Sequence, residues 1–522
     1  MLKRRDVLIG ASVLAAPRIG RGEAASLLRV VPQSNLTSLD PVWTSALVTR
    51  NHAFMIYDTL YGLDSALTPK PQMAEGHVVA DDGKRVTITL RSGLMFHDNM
   101  PVLAKDCVAS IKRWMVRNAF GQKLAQVTNE LVWIDDTKLE FRLSKPFPLL
   151  FAALASIANA CVIMPERLAL TDPFKQVADA TGSGPFQWLP REFNSGSLMA
   201  YAKFDGYRPR DEKVDFTAGG KQAFFSRVEW HVITDAATAS AAMQAGEMDW
   251  FEQPPPEIQT LLARQKTLSV EKIDNRPSPS MLRLNHLQAP FNSKAIRQAL
   301  LPAVVQEDFV AAIQGPDPAN FVPLGVFTPG TPMASDAGMD VLWGPRSLDR
   351  AKAMMREAGG LTPRMRLIGP TDILAPAALT QVAAGMFQDI GMNADIALSD
   401  WGTVITRRVS KEPVEKGGWS ALCTSFEGFD WMDPAGHPVA RGNGRDAWFG
   451  WPDVPKLEAL RDSWFDAPNL ATQKAIAADI QRVVMDEVVL IPTGGFFRPT
   501  AIRRDLAGRV PGFMIFYNLK RA

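Results

Sequence analysis

Ser269-Val270-Glu271-Lys272 has the serine-to-lysine spacing in which an amine can take the proton of a nucleophilic hydroxyl. That chemistry needs the pair at a helix start, with S-D-N and K-T-G strings elsewhere. Here the pair lies in an alternating, strand-like run, and neither companion string occurs. Gly182-Ser183-Gly184 is too short for a nucleophile elbow, and there is no H-E-x-x-H among His52, His77, His97, His231, His286 and His437, which are too scattered to predict a zinc site. Gly220-Lys221 lacks the earlier glycine and the following Ser or Thr of a phosphate loop. Cys107, Cys161 and Cys423 are odd in number and widely spaced, which predicts buried thiols rather than a disulfide framework or a metal site. These residues predict no catalysis and no cofactor.

The elements that would carry other chemistry are many. A chain of 522 residues, 46% hydrophobic, exceeds what one core holds, so at least two lobes are expected. Lys and Arg number 57 against 55 Asp and Glu, which leaves no field to hold nucleic acid by counterion release. Residues 1–25 have a basic start, an apolar run from Val7 to Ala16 and small residues before Ser26, the pattern of a signal peptide. Arg4-Arg5 ahead of Val7-Leu8 resembles a twin-arginine signal, with Sec export as the alternative and cleavage after Ala24 or Ala25. With no cysteine before Cys107, an N-terminal lipid anchor is not expected, and no later run of about 18 apolar residues predicts direct membrane insertion.

Period-two alternation predicts strands at Val86–Leu90, after the turn Asp81-Asp82-Gly83, and in a hairpin over Leu131–Leu143. Others are expected at Arg227–Ile233, Leu268–Asp274, Met281–Leu284, Arg364–Ile368 and Asn393–Leu398. Helical spacing predicts helices at Lys105–Asn118, Ala236–Ala245, Pro256–Arg264, Lys294–Ala303, Asp349–Ala358, Ala375–Ile390 and Ala471–Asp486. The fold class is α/β in more than one lobe.

Several strings, in order, resemble one family. They are Leu39-Asp40-Pro41, YDTLYG at Tyr57–Gly62, Pro71–Arg113 with its LRSGLMFHDNMP core, TGSGPFQW at Thr181–Trp188, AAMQAGEMDW at Ala241–Trp250, LNHLQAPFNSKAIRQAL at Leu284–Leu300 and DRAKAMMREAG at Asp349–Gly359. Together they resemble the peptide and nickel class of extracellular solute-binding proteins of ABC transporters. Most of these residues read as fold markers: turns, positive-φ glycines and helix caps.

The resemblance implies a two-lobed periplasmic binding protein fold of type II with an extra inserted domain, three domains in all, and a ligand cleft between the lobes. Domain I is expected from 26–68, 181–278 and 493–522, domain II from 69–180 and domain III from 279–492, with a hinge at Asn275–Pro279 and Pro492–Gly495. It further implies a monomer in the periplasm that binds a small solute, an oligopeptide, opine, amine or metal chelate, and serves ABC permease and ATPase subunits.

Asp430-Trp431-Met432-Asp433-Pro434 matches the D-x-x-[DE]-P string whose first aspartate meets the ligand's ammonium in peptide-binding members, so Asp430 is the leading contact. A carboxylate in a closing, poorly hydrated cleft gains a charge-assisted bond that a surface pair lacks. Trp401, Trp419, Trp431, Trp448, Trp451 and Trp464 crowd one stretch of the chain; Trp401, Trp419 and Trp431 are expected near the ligand, and Thr44 and Ser45 on a ligand-facing loop. Dipeptide-specific relatives hold the ligand carboxylate with an arginine after a strand, but Ile368–Ala378 contains no basic residue. An exported peptide-binding chaperone and a secreted hydrolase are the competing readings.

Overall fold

In the computed structural model of the protein, residues 26–44 and 46–522 are described; Ser45 and the expected export segment, residues 1–25, lie outside them. Among the described residues three large sheets organise the chain, beside three two-stranded ones. The first runs Phe186–Trp188, Leu198–Lys203, Arg227–His231, Leu27–Val31, Trp250–Phe251, Pro499–Arg503, Leu268–Lys272. Leu27–Val31 pairs in parallel with both its neighbours, and Pro499–Arg503 is antiparallel to both of its own.

The second sheet has four antiparallel strands, Ala74–Ala80, Arg85–Leu90, Lys138–Leu143 and Thr128–Trp133. Its first hairpin turns at Asp81–Gly83, where Gly83 takes φ +86°, a value that suits a residue without Cβ. Helix Ala104–Arg117 covers the sheet with a face of Cys107, Val108, Ile111 and Trp114, all buried. The third sheet runs Phe321–Val322, Ile491–Phe496, Ser278–Leu284, Ala421–Ser425, Met365–Pro370, Ala394–Ser399, with helices Gln306–Gln314 and Leu374–Ile390 packed against it.

Six of the expected helices form within one residue of their bounds. The seventh, expected at Lys294–Ala303, is α-helical over Lys294–Leu300 and continues as a 3-10 turn over Leu301–Ala303, and Ser293 caps it by accepting the Ile296 N–H. Ser269-Val270-Glu271-Lys272 lies in a strand, and all three cysteines are free and buried. One expectation is corrected. Pro492–Gly495 is not a crossover but the interior of strand Ile491–Phe496, which carries a bulge opposite Ser280/Met281 with Gly494 at φ +107°. Proline and glycine mark that bulge rather than a loop. The chain passes between the first and third sheets at 273–277 and 497–498.

Candidate functional site

Strand Ala421–Ser425 runs out toward these crossing segments and leads into a single 3-10 turn, Gly428–Trp431. At Gly428 a Cβ would stand 2.7 Å from the Arg276 Cβ and 2.8 Å from the Pro277 carbonyl oxygen, so any side chain would push the turn off the crossing segment. The turn is closed by two local bonds: the Asp430 N–H donates to the Glu427 carbonyl at 2.9 Å, and the Glu427 N–H donates to Asp430 Oδ2 at 3.1 Å.

Facing this turn from the other lobe is helix Leu47–Ile56, buried at every position except Leu47. Its Arg50 donates from Nη2 to Asp430 Oδ1 at 2.8 Å, and its guanidinium lies 4.4 Å from the centre of the Phe429 ring. The two side chains are 5% and 8% exposed, so this ion pair is desolvated. Arg50 Nε and Nη1 are also buried but have no protein partner. A cavity of about 10 Å³, no more than a water needs, lies beside them, walled by Pro41, Thr44, Ala53, Phe54, Ile157, Asn159 and Ala160.

The turn over that cavity is fixed by Asp40. Its carboxylate accepts the Val42 and Val177 N–H groups, each at 3.0 Å, and both terminal nitrogens of Arg113, at 2.7 and 3.2 Å. Arg113 comes from the helix that covers the four-stranded sheet, so the Leu39-Asp40-Pro41 string ties that module to the first lobe.

Further charges gather nearby. Glu427 Oε1 meets Arg498 Nη1 at 2.9 Å, and Arg498 also donates to Ser425 Oγ at 3.1 Å. Burial pushes the Glu427 carboxyl up, against the pull of Arg498 and Arg50. Glu252 is fully buried and accepts the Gln33 N–H at 2.7 Å and Asn51 Nδ2 at 2.9 Å; burial outweighs both bonds and pushes its carboxyl up to about 7.

Of the residues singled out from sequence, Asp430 and Thr44 border this junction: Asp430 has both oxygens engaged within the protein, and Thr44 accepts the Ala46 N–H at 3.2 Å. Trp431 is fully buried and stacks on His437 at 4.6 Å, its indole N–H without a protein partner. Trp419 is fully buried beside Ile368, Val404, Leu422 and Trp451, and donates to the Arg408 carbonyl at 3.1 Å. Trp401 is half-buried at the start of helix Trp401–Arg408, its N–H donated to Asp372 Oδ1 at 2.8 Å. Sequence reasoning missed Arg50, because its neighbours Thr49, Asn51 and His52 are polar and give no sign that the helix is buried.

The lobes also meet at a second place. Phe465 packs against Phe120 at 5.6 Å and Phe147 at 6.2 Å, while Lys145 reaches Asp466 at 2.7 Å and Lys123 pairs with Asp462. Among the described residues no cluster of three or more His, Cys, Asp or Glu could hold a metal, and no helix is long and apolar enough to cross a membrane.

Residues 68–437 match the middle region that defines the bacterial extracellular solute-binding proteins, family 5. The chain belongs to that family. This family 5 protein is 34% identical, over the whole of both chains, to a "probable peptide ABC transporter periplasmic-binding protein" of Sinorhizobium fredii. It is 28% identical to the glutathione-binding protein of Salmonella paratyphi A, over 79% of this chain and 78% of that one. Its fold matches the oligopeptide-binding protein AppA of Bacillus subtilis, solved with a nonapeptide, at TM-score 0.79 and 16% identity, covering 95% and 99% of the two chains. A dipeptide-binding protein of Pseudoalteromonas, solved with Met-Leu, matches at TM-score 0.77 and 20% identity, covering 95% and 100%. Family 5 members are solute-binding proteins, and the two-lobed α/β fold is theirs.

Proposed function

We propose that the protein takes up a small solute with a peptide-like backbone or a cationic group between its two lobes and closes on it by rotation at 273–277 and 497–498. It then hands the solute to an ABC permease driven by separate ATPase subunits. In this reading Asp430 receives the solute's positive group, Thr44, Ser45 and Trp401 border it, and Trp431 and Trp419 stiffen the wall behind. The protein acts as a monomeric binder rather than a catalyst, in the periplasm, after export through the signal in residues 1–25. In this reading the chain forms three domains, and strand Ile491–Phe496, which lies in the six-stranded sheet, is counted with the third.

The observation that carries this reading is the Arg50–Asp430 pair. Opposite charges from two lobes, desolvated only where the lobes meet, are a contact that opening returns to water. Buried pairs of this kind gain little over their hydrated state, so opening there costs little and leaves Asp430 free for a ligand ammonium. The peptide description of the Sinorhizobium relative and the peptide complexes of the structural neighbours support the solute class. Native mass spectrometry of protein purified from a periplasmic extract should reveal a small bound mass that leaves on denaturation. Protein that carries none, and retains nothing from a mixture of di- to pentapeptides, goes against the reading; turnover of those peptides would make it an enzyme.

A further inference from the structure

We propose that Arg50 is the receptor for a carboxylate on the solute, making the site complementary to a zwitterion rather than to a bare cation. The inference rests on the solute-binding reading above and specifies the ligand's second charged group. Arginine offers five side-chain N–H donors, and among the described residues Asp430 is the only acceptor bonded to the Arg50 guanidinium. Nε and Nη1 are left buried and without a protein partner, on a side chain 5% exposed. Leaving guanidinium donors dry and unpaired is costly; with the lobes together the adjoining cavity of about 10 Å³ has room for a water and no more, so a larger acceptor would reach these donors only as the lobes part.

The surroundings favour an anion. The cavity beside these donors has apolar walls at Pro41, Ala53, Phe54 and Ile157, polar groups only at Thr44 and Asn159, and no carboxylate that could pair with the remaining N–H groups. Asn159 Nδ2 is already committed to the Pro41 carbonyl at 3.0 Å. The Phe429 ring against one face of the guanidinium holds its plane, so a carboxylate can take one edge of the fork while Asp430 keeps another. Ile368–Ala378 carries no basic residue; Arg50 supplies that charge from the opposite lobe. When the lobes part, Arg50 and Asp430 would separate as a preformed positive and negative pole.

The test uses a mixture of di- to pentapeptides, each present as free acid and as C-terminal amide, with retained masses read after gel filtration. Wild-type protein should retain the free acids at least tenfold over their amides. Arg50→Gln should bring the ratio to about one, and Arg50→Lys should restore part of it. Should Arg50→Gln fold poorly with Asp430 left unpaired, Arg50→Gln/Asp430→Asn keeps a neutral hydrogen-bonded pair and should show the same loss of ratio. Equal retention of acid and amide by wild type, or an undiminished ratio in both variants, overturns the assignment and leaves solute binding standing. Retention of neither form by folded wild type overturns the peptide reading, and this assignment with it.

Discussion

Arg50 and Asp430 are 380 positions apart in sequence, and their guanidinium and carboxylate meet at 2.8 Å where the two lobes touch. Removing one partner from a buried pair costs about 3–5 kcal/mol when the survivor stays buried. On the proposed hinge motion the survivor would have an exit, because opening the lobes would hydrate it.

Asp430→Ala should therefore shift the protein toward an open arrangement more than it lowers the unfolding temperature. Small-angle X-ray scattering should give a larger radius of gyration for the variant than for wild type without added solute. Equal radii, combined with a lost affinity for peptides, would assign Asp430 to ligand contact alone.

Glu252 makes stability depend on pH in a defined direction. Below about pH 4.5 its carboxyl is protonated in folded and unfolded chains alike and contributes no slope. Between about 4.5 and 7 the unfolded chain releases the proton while the native state keeps it, so stability falls as pH rises, by about 3 kcal/mol in all. His52 and His437, held low by burial, act in the opposite sense over part of this range. The difference between wild type and Glu252→Gln isolates the carboxyl: urea unfolding should show the variant gaining on wild type from pH 4.5 to 7.5. A constant difference would place the Glu252 carboxyl at its ordinary value.

Phe465 is the apolar counterpart at the second meeting place, packed on Phe120 and Phe147 of the inserted module. Phe465→Ala should cost about 3–5 kcal/mol if its surroundings stay closed, and less to the extent that the lobes part. The Lys145–Asp466 pair beside it is more than half exposed on both sides and should be worth about 0–1 kcal/mol. Scattering should thus respond to Phe465→Ala and hardly at all to Lys145→Ala or to raised salt.

The thiols of Cys107, Cys161 and Cys423 are buried, and burial holds each above its ordinary value. Without accessible thiolate they should resist a disulfide reagent in the native protein and react fully in guanidinium. Fast labelling of the native state would contradict the burial.

Export is open to a direct assay. Replacing Arg4 and Arg5 together by Lys should leave precursor in the cytoplasm if the twin-arginine route carries the chain, and unchanged secretion would assign it to Sec.

Local signals made most of the scaffold legible. Helices such as Ala236–Ala245, begun by Asp235 and ended by Gly246 at φ +75°, are written in their caps and periodicity. The strand through Pro492–Gly495 was misread because a bulge and a loop use the same residues, and only the partner strand distinguishes them. The site was less legible still. Asp430 could be found by its string, but the need of Arg50 for a partner is met from the far end of the chain. No window of sequence contains that contact.

The seven-stranded sheet has a consequence for how the protein is made. Leu27–Val31 lies at its centre, while Pro499–Arg503 is inserted between Trp250–Phe251 and Leu268–Lys272. A nascent chain can therefore assemble the four-stranded module and much of the six-stranded sheet early, but it cannot finish the first lobe until residue 503 has left the ribosome. Closing a pairing over so long a stretch of chain is slow. The strand edges that wait for it are exposed meanwhile, which makes this sheet the place where a chaperone would be needed during synthesis.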